Sequence, residues 1–394
     1  MISVAQALEK VIQEAHSHGV QTRRLFDALN YTLAQTLYSP MPWPTYPQAA
    51  MDGYGLKRDK WNSHEPFRVK QVVAAGDFVE RIDLQPGEAV RIFTGAFVPE
   101  GIDTIVQQEH IRTENSALYW PDVCPPLAQH IRPTASQTKA GETIASPGDI
   151  ITPARAAFLS GLGIHEVSVF QHPRVAIVCT GSELVSPGNT LPPGKIYESN
   201  SMALQMALAQ RGISVEEIVL CSDEAELIEQ TLRRVTENYD VVLITGGVSV
   251  GDYDIVVPTL NRLGVDTLFH KVKQKPGKPF YFGRKNQGVV FGLPGNPASV
   301  LTCFYMYTLP YLDACEQRAI KGLSQFTLPI QQPYAKKAGL THFVRARVMH
   351  GECQILPNQE SYKMNSFAEA NAIVVFDEAM ENPSEGTLVP VYCF

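Results

Sequence analysis

The sequence predicts a multidomain α/β protein with a central αβα domain built on a parallel sheet. Three observations indicate this class. The chain has 394 residues, which is enough for roughly two to four domains. Strand and helix patterns alternate between residues 174 and 315. The strands in that region are continuous apolar runs, which is typical of a parallel sheet covered by helices on both faces.

The N-terminal region is expected to contain two helices followed by a rigid connector. Ser3 and Gln6 have the spacing of a capping box, and apolar residues recur on one face of the helix that follows. Pro40, Pro42, Pro44 and Pro47 then exclude a helix. We assign residues 1–47 together with residues 139–171 to an elongated helical domain.

Short strand patterns occur on both sides of the central domain. The runs at residues 67–73, 89–94 and 104–107 are separated by turns that contain glycine and proline. They predict a small β-domain over residues 48–138. Similar short strands follow the central domain, and they predict a C-terminal β-barrel-like domain over residues 319–394.

The central αβα domain is assigned to residues 172–318. Its predicted strands lie at residues 175–179, 215–220, 241–244, 267–269 and 288–291. Its predicted helices lie at residues 201–210, 224–237, 255–263 and 298–309. Asp223 is the candidate N-cap of the second of these helices.

Composition and charge exclude several classes of protein. Apolar residues make up 44% of the chain and charged residues 19%, which excludes disorder, collagen and coiled coil. The 40 acidic and 33 basic residues give a net charge of −7, so we expect no nucleic-acid partner. The 7 cysteines form no Cys-x-x-Cys pair, which favours a reducing, cytoplasmic location. No signal pattern and no apolar run of about 18 residues occurs, so no membrane association is expected.

Glycine-bearing turns follow three of the predicted strands. They are Thr180-Gly181-Ser182-Glu183, Thr245-Gly246-Gly247-Val248-Ser249 and Leu293-Pro294-Gly295-Asn296-Pro297. The carboxyl ends of parallel strands form one crevice, and glycine lets backbone N–H groups approach an anion, so we expect a phosphorylated ligand there. Each turn taken alone is equally well explained as a tight βα connection. None of them contains the Gly-Lys-Ser/Thr of a Walker loop.

The second turn also matches the nucleophile-elbow pattern of α/β-hydrolases. In Gly247-Val248-Ser249-Val250-Gly251, Ser249 would be the nucleophile. An elbow leads straight into a helix, however, whereas Asp252-Tyr253-Asp254 follows here, and no histidine partner is evident in a comparable loop. We therefore favour an anion-binding turn.

A local basic segment gives this acidic chain a candidate anion site. Lys271, Lys275 and Lys278 lie close together, and residues 267–312 contain no aspartate or glutamate. Clustered lysines without acids suit an oxyanion or a polyphosphate. The alternative is a solvated lysine surface.

Carboxylates follow the same strands and are candidates for metal binding. Glu183, Asp223, Asp252 and Asp254 lie at the loop ends. Mg²⁺ commonly binds one or two carboxylates together with phosphate oxygens. Asp254 is the better metal candidate, whereas Asp223 taken alone is better explained as a helix N-cap.

Together these motifs resemble the MoeA family of molybdopterin molybdenumtransferases, which includes the C-terminal part of gephyrin. Besides the glycine turns, the resemblance rests on Ala50-Met51-Asp52-Gly53-Tyr54, Arg91-Ile92-Phe93-Thr94-Gly95-Ala96, the run from Gly246 to Asp254, and Lys275-Pro276-Gly277-Lys278-Pro279. The motifs occur in order along essentially the whole chain. The resemblance implies a four-domain homodimer whose αβα domain is of the molybdopterin-binding type. It further implies insertion of molybdate into adenylylated molybdopterin with release of AMP, and a requirement for Mg²⁺, or Zn²⁺ in some proposals.

The resemblance also implies roles for individual residues. Catalytic roles fall on Asp52, Glu183, Asp223, Asp254, Lys271 and Lys275, with Glu183 and Asp254 as metal ligands. Substrate-binding roles fall on Thr94, Thr180, Gly181, Ser182, Gly246, Gly247, Ser249, Lys278, Pro294, Gly295, Asn296, Arg345 and Ser361. Of these residues, Lys275, Lys278, Arg345 and Ser361 would supply charge-assisted hydrogen bonds to molybdate. The implied partners are a second copy of the chain, the molybdopterin adenylyltransferase and chaperones of the recipient molybdoenzymes.

The chain departs from the family pattern at one place. After Ile131 the family usually reads Arg-x-x-Gly-x-Asp, whereas this chain has Ala135 at the glycine and Gln137 at the carboxylate. A neutral amide cannot act as a metal ligand or base in the same way. We favour the molybdenum insertase because the lysine and glycine loops are intact. The alternatives are an adenylyltransferase activity and a divergent, non-catalytic paralogue that acts as a scaffold.

Overall fold

The computed structural model describes residues 1–248 and 255–394, which divide into two compact units. Unit 1 comprises Met1–Gln35, Pro147–Ala156 and His165–Phe394. Unit 2 comprises Thr36–Ser146 and Ala157–Ile164. The division into four domains stays a prediction.

The secondary structure is numbered in chain order. The described α-helices are α1 (Val4–Gln13), α2 (Pro153–Gly161), α3 (Asn200–Ala209), α4 (Ala225–Asn238), α5 (Val256–Arg262), α6 (Pro297–Cys303), α7 (Leu309–Cys315) and α8 (Asn365–Glu369). The strands up to residue 170 are β1 (Val20–Arg24), β2 (Leu37–Tyr38), β3 (Gln48–Ala49), β4 (Gly53–Leu56), β5 (Arg68–Val73), β6 (Glu88–Ile92), β7 (Thr104–Gln107), β8 (Arg112–Glu114), β9 (Ala117–Tyr119), β10 (Ile131–Arg132), β11 (Thr143–Ala145) and β12 (Glu166–Phe170). The later strands are β13 (Val175–Thr180), β14 (Leu184–Val185), β15 (Ile196–Tyr197), β16 (Val215–Cys221), β17 (Val241–Thr245), β18 (Asp266–His270), β19 (Gln274–Lys275), β20 (Tyr281–Lys285), β21 (Gly288–Leu293), β22 (Ser324–Pro329), β23 (Thr341–Met349), β24 (Glu352–Ile355), β25 (Ala372–Phe376) and β26 (Leu388–Cys393).

The first N-terminal helix forms as predicted, but the segment that follows it does not. The capping box is present, because the Gln6 backbone N–H donates to the Ser3 hydroxyl (3.2 Å) and the Ser3 N–H donates to the Gln6 side chain (3.0 Å). The predicted second helix is wrong. After α1 the chain forms β1, which pairs antiparallel with β12. Local propensity was overridden by this pairing with a strand far along the sequence.

The central sheet of unit 1 has the strand order β16-β13-β17-β21-β20-β18. Strands β16, β13, β17 and β21 are parallel, as predicted. Two further strands extend the sheet in antiparallel fashion, because β20 pairs antiparallel with both β21 and β18. The prediction treated β18 as one more parallel strand and missed β20. β20 leads into β21 through Asn286 and Gln287 alone, and an antiparallel pair needs no crossover helix, which is why the alternation of strands and helices did not reveal it.

Helices cover both faces of this sheet, so the three-layer prediction is confirmed. Along β13, Val175, Ile177 and Cys179 join a core with α1, α3, α6 and α7. The intervening Ala176 and Val178 join a second core with α4 and α5. This alternation follows from the two-residue repeat of side chains along a strand. Burial on both faces explains why the strand reads as a continuous apolar run.

Unit 1 also contains the C-terminal sheet, in the order β19-β23-β25-β26-β22, with β24 paired to β23. Strand β19 carries Lys275 and pairs in parallel with β23, so that Lys275 lies opposite His342. The basic segment is thereby joined to the C-terminal part of the chain.

Unit 2 is built on a four-stranded sheet in the order β5-β6-β4-β7. Strands β5, β6 and β7 correspond to the three runs predicted for the small β-domain. Asp52 directly precedes β4, and Thr94 follows β6. Within residues 1–248 and 255–394, no helix has the length and apolar character needed to cross a bilayer.

Candidate functional site

A cavity of about 590 Å³ lies where β13, β17 and β21 end. All three predicted glycine turns contribute to its wall, as expected for the carboxyl edge of a parallel sheet. The predicted site residues that line it are Thr180, Gly181, Glu183, Asp223, Gly246, Gly247, Pro294, Gly295 and Asn296. The size is that of a small-molecule binding site.

The turn after β17 requires glycine for a physical reason. Gly246 has a φ of +86°, and a Cβ atom there would lie 2.5 Å from the backbone oxygen of Thr180. Only glycine tolerates both the left-handed backbone and this close approach. The hydroxyl of Thr180 donates to the Thr245 carbonyl (3.3 Å), which ties the ends of β13 and β17 together.

The turn after β13 is linked to the loop before α4. The Ser182 N–H donates to the Asp223 carboxylate (2.9 Å), and the Asp223 N–H donates to the Ser182 hydroxyl (3.0 Å). The prediction of Asp223 as a helix N-cap is therefore wrong, since α4 begins after Glu224 without a side-chain cap. Asp223 instead lines the cavity together with the exposed carboxylate of Glu183.

The cavity includes residues that sequence reasoning missed. Glu198 and Asn200 lie at the start of α3 and line the wall. The Asn200 side-chain amide donates to the Gly295 carbonyl (2.9 Å), and the Ser201 N–H donates to Glu198 (2.9 Å). Tyr197 and Tyr362 also line the cavity. The sequence signal available for Tyr197, Glu198 and Asn200 was a run of polar and aromatic residues at the start of a helix.

The turn after β21 holds a loop of the C-terminal sheet against the cavity. The Asn296 side-chain amide donates to the Ser361 hydroxyl (2.8 Å). The Ala298 N–H donates to the Ser361 carbonyl (3.1 Å). Ser361, predicted from a weak motif, is thus brought next to a residue of the cavity wall.

The lysine turn, residues 271–279, reaches the cavity at Pro279. Buried Gln274 organises this turn. Its side-chain amide donates to the carbonyls of Pro276 and Gly277 (3.2 Å each), and its carbonyl accepts from the Tyr307 hydroxyl. Lys275 and Lys278 are exposed on the turn, and Lys271 is half-buried. Among the described residues, the cavity wall itself does not include these lysine side chains.

The charge of Lys275 acts on a neighbouring histidine. Burial, followed by the positive charges of Lys275 and Lys336, lowers the pKa of His342 to about 4. Burial is the main cause of the low pKa, and the smaller contributions of the two lysines show that both lie near His342, beside the lysine turn.

Arg345 is buried and held by several hydrogen bonds, and its implied contact with an anion stays a prediction. Its side chain is only 1% exposed, and the guanidinium donates to the carbonyls of Asn358 (2.8 Å) and Glu360 (3.2 Å) and to the Ser366 hydroxyl (3.0 Å). These bonds fix the loop that carries Ser361. The geometry therefore supports a positioning role for Arg345.

Asp52 and Thr94 lie together in unit 2. The Thr94 backbone N–H (2.8 Å) and hydroxyl (2.7 Å) both donate to the Asp52 carboxylate. These hydrogen bonds, first the backbone one, lower the pKa of Asp52. Its carboxylate is thus held in the charged form.

The departure at Gln137 lies on the surface of unit 2. The Gln137 side chain is exposed, and its backbone N–H donates to the Trp43 carbonyl (2.9 Å). Ala135 adopts a φ of +60°. This left-handed backbone is a conformation that glycine adopts without strain and that a residue with a Cβ adopts less readily.

The last two predicted residues are Ser249, implied to bind substrate, and Asp254, implied to bind a metal ion. Ser249 and Asp254 lie outside the described residues. Within the part of the chain that is described, no group of three or more His, Cys, Asp and Glu side chains could hold a metal ion. Glu183 and Asp223 on one cavity wall still fit Mg²⁺, which takes one or two carboxylates and completes its shell with phosphate oxygens and water.

Comparison with known families accounts for nearly the whole chain. Residues 2–163 match the family described as "MoeA N-terminal region (domain I and II)". Residues 176–314 match the "Probable molybdopterin binding domain". Residues 327–394 match the "MoeA C-terminal region (domain IV)".

Individual proteins agree with these matches. The chain is 32% identical to a molybdopterin molybdenumtransferase of Nostoc sp. over 373 residues, covering 93% of this chain and 81% of the relative. It is 29% identical to that of Haemophilus influenzae over 402 residues, covering 100% and 99%. The molybdopterin biosynthesis moeA protein of Pyrococcus horikoshii has a similar structure, with a TM-score of 0.83, 26% identity and full coverage of both chains. The chain therefore belongs to the molybdopterin molybdenumtransferase family, a family of transferases of molybdenum cofactor biosynthesis.

Proposed function

We propose that this protein inserts molybdate into adenylylated molybdopterin and releases AMP. The observation that carries the proposal is the cavity at the ends of β13, β17 and β21, which combines three glycine turns with the carboxylates of Glu183, Glu198 and Asp223 and adjoins the lysine turn at Pro279. Backbone N–H groups at such turns bind phosphate, and clustered lysines bind a doubly charged oxyanion. Family membership supports the same assignment.

The lysine turn supplies the oxyanion site in this proposal. Lys275 and Lys278 are exposed on a turn whose backbone is held by Gln274. Their ammonium groups would donate charge-assisted hydrogen bonds to molybdate. The Ser361 hydroxyl, fixed by Asn296, would add a neutral hydrogen bond from the opposite loop. Arg345 would act by holding that loop.

The carboxylates serve the nucleotide end of the substrate. Glu183 and Asp223 would hold Mg²⁺ against the phosphoanhydride, and Asp254 is proposed as a further ligand. When bound, Mg²⁺ would neutralise charge on the departing AMP. Asp223 is kept in place by Ser182, whose backbone and hydroxyl both contact it.

Further features of the proposal rest on family membership. We propose a cytoplasmic homodimer of four-domain chains in which Asp52 and Thr94 also serve the reaction. The molybdopterin adenylyltransferase would supply its substrate, and chaperones of molybdoenzymes would receive its product. The charged Asp52 carboxylate held by Thr94 supports a functional role for this pair in unit 2.

The proposal is tested with the purified chain, adenylylated molybdopterin and Mg²⁺, with and without molybdate. We expect AMP release and active cofactor only when molybdate is present. Release that does not depend on molybdate would contradict the proposal. Formation of adenylylated molybdopterin from ATP and molybdopterin, without molybdate, would support the adenylyltransferase alternative instead.

The neutral amide at Gln137 is the observation that favours a divergent, non-catalytic paralogue. A Gln137→Asp variant distinguishes an active insertase from a non-catalytic paralogue. If the missing carboxylate limits an active enzyme, the variant should turn over faster than the parent chain. If both proteins release no AMP with molybdate, the paralogue is favoured. Because Gln137 is exposed, the substitution should leave the free energy of unfolding within about 0.5 kcal/mol.

A further inference from the structure

Two tyrosines on the cavity wall remain outside the roles described above. Tyr197 is the last residue of β15 and is 45% exposed. Tyr362 comes from the loop before α8 and is 64% exposed. Both line the same cavity of about 590 Å³. Large aromatic rings left exposed on a concave wall are typical of ligand contacts rather than of core packing.

The Tyr197 ring is held by its hydroxyl. That hydroxyl donates to the backbone carbonyl of Asn189 (2.8 Å), which lies in the loop before β15. The hydrogen bond leaves the aromatic ring as the part of the side chain that is free for a ligand. Because the bond restricts the ring before any ligand arrives, less conformational entropy is lost on binding.

The Tyr362 ring is positioned through its backbone. Its neighbour Ser361 is bonded to Asn296 and to the Ala298 N–H (2.8 and 3.1 Å). On the other side of Ser361, the buried Arg345 donates to the Glu360 carbonyl (3.2 Å). The loop is therefore tied both to the turn after β21 and to the C-terminal sheet.

The two rings come from different parts of unit 1 but are joined through one turn. Asn296 binds the loop of Tyr362, and the adjacent Gly295 carbonyl accepts from Asn200, three residues after Tyr197. The turn after β21 therefore connects the two loops that carry the aromatic rings.

We propose that Tyr197 and Tyr362 bind the planar heterocycles of the substrate by stacking. This inference rests on the proposed function, whose substrate contains an adenine and a reduced pterin, the latter with a flat pyrimidinone ring. Each offers a π face to a tyrosine ring, and such stacking tolerates different bases. The glycine turns would then hold the phosphate groups of the substrate, and the lysines would hold the oxyanion. Tyr197 and Tyr362 are thus substrate-binding residues and take no part in proton transfer.

The test measures binding of AMP and of neopterin by titration calorimetry to the full chain. The variants are Tyr197→Leu and Tyr362→Leu, which remove the ring, and Tyr197→Phe and Tyr362→Phe, which keep it. Tyr38→Leu is the matched control, because Tyr38 is similarly exposed (59%) but belongs to unit 2. Loss of one stacked base corresponds to roughly a fivefold to hundredfold rise in Kd.

We expect each leucine variant to raise the Kd of at least one probe by fivefold or more, with Tyr362→Phe and the Tyr38→Leu control within twofold of the parent. Tyr197→Phe keeps the ring but loses the hydroxyl bond to Asn189, so its Kd should lie between those of the parent and Tyr197→Leu. A weakened AMP complex assigns that tyrosine to the adenine, and a weakened neopterin complex assigns it to the pterin. Leucine variants that bind both probes within twofold of the parent would overturn the inference, as would a parent chain that binds neither probe at millimolar concentration.

The two proposals fail in different ways. If the parent releases AMP with molybdate but the leucine variants bind both probes normally, the proposed function stands and the stacking role does not. If the parent shows no molybdate-dependent release but loses AMP or neopterin binding on removal of a ring, the stacking site stands without the insertase activity.

Discussion

The sheet-edge cavity and the lysine turn are neighbouring anion-binding candidates that are held in place by different means. The cavity turns directly follow β13, β17 and β21, so the sheet itself sets where they lie, and hydrogen bonds such as Ser182–Asp223 and Asn200–Gly295 join them to neighbouring loops. The lysine turn depends on distant residues, because Gln274 bonds to Tyr307 and β19 pairs with β23. The difference teaches that the ends of parallel strands bring the cavity turns to one edge, where the turn motifs can be recognised in the sequence, whereas the placement of these lysines depends on side-chain packing in the assembled core.

The largest expected effect is on the cavity side of this comparison. Gly246→Ala should lower the free energy of unfolding by about 3 kcal/mol or more, because the added Cβ would meet a backbone oxygen at 2.5 Å in a left-handed backbone. Urea denaturation measures the loss. Gly264→Ala is the matched control, with a φ of +77° but nothing within 4 Å of the new Cβ, and it should cost about 1 kcal/mol. Equal losses would show that the close approach to Thr180 is unimportant.

The next effect is on the lysine turn. Gln274→Leu should lower the free energy of unfolding by about 2–3 kcal/mol, since it leaves the Pro276 and Gly277 carbonyls and the Tyr307 hydroxyl without their buried partner. Gln332→Leu, which removes one half-buried hydrogen bond to the Ile355 carbonyl, should cost less than about 1.5 kcal/mol. A Gln274 variant as stable as the Gln332 variant would mean that the turn is held locally after all.

Acid should weaken the region around the lysine turn. The pKa of His342 is lowered from 6.5 to about 4 by burial and by Lys275 and Lys336. Between these pH values the unfolded chain binds more protons than the folded one, so the free energy of unfolding falls as the pH drops through that window. The contribution is roughly 1–3 kcal/mol.

His342→Gln checks this pH effect by urea denaturation at several pH values. The variant should lose less stability than the parent between pH 6.5 and pH 4. In a second measurement, Lys275→Ala should raise the pKa of His342, followed by NMR. Parallel stability profiles for the parent and His342→Gln would contradict the assignment.

The smallest effect on stability is expected at Lys275 itself. Because this side chain is exposed, Lys275→Ala should change the free energy of unfolding by less than about 0.5 kcal/mol. Under the proposed function it should raise the molybdate concentration needed for half-maximal AMP release by roughly tenfold, since a charge-assisted hydrogen bond is lost. AMP binding should stay within twofold.

Lys273→Ala is the matched control for Lys275. The Lys273 ammonium is paired with Glu378 (2.8 Å), so its charge is not free for an oxyanion. It should leave the molybdate dependence within twofold of the parent. Equal loss of molybdate and AMP binding in Lys275→Ala would contradict a specific oxyanion role.

Much of the fold could be predicted because its signals are local. The capping box at Ser3 and the apolar runs of β13, β17 and β21 each reflect contacts within a few residues or burial on both faces of a sheet. β1 and β20 could not be predicted in the same way. Their strand conformation depends on pairing with β12, β18 and β21, and nothing in their own periodicity specifies that partner.

The candidate site shows the same division. The glycine turns were predicted to meet at one edge, and they do. Asp223 was expected to cap α4 because an aspartate before a helix usually does, but Ser182 from the neighbouring turn binds its carboxylate. Tyr362 was missed because an exposed tyrosine in a loop carries no sequence signal of its own.

The sequence by itself determined the αβα class, the three glycine turns and the family resemblance, because strand burial and left-handed turns impose residue types at short spacing. Only the tertiary structure decided that Arg345 is buried behind the Ser361 loop, that Gln274 supports the lysine turn and that two tyrosines line one cavity. These placements depend on which distant segments pack together. A long-range hydrogen bond constrains its two partners jointly, and neither partner shows it in the local sequence.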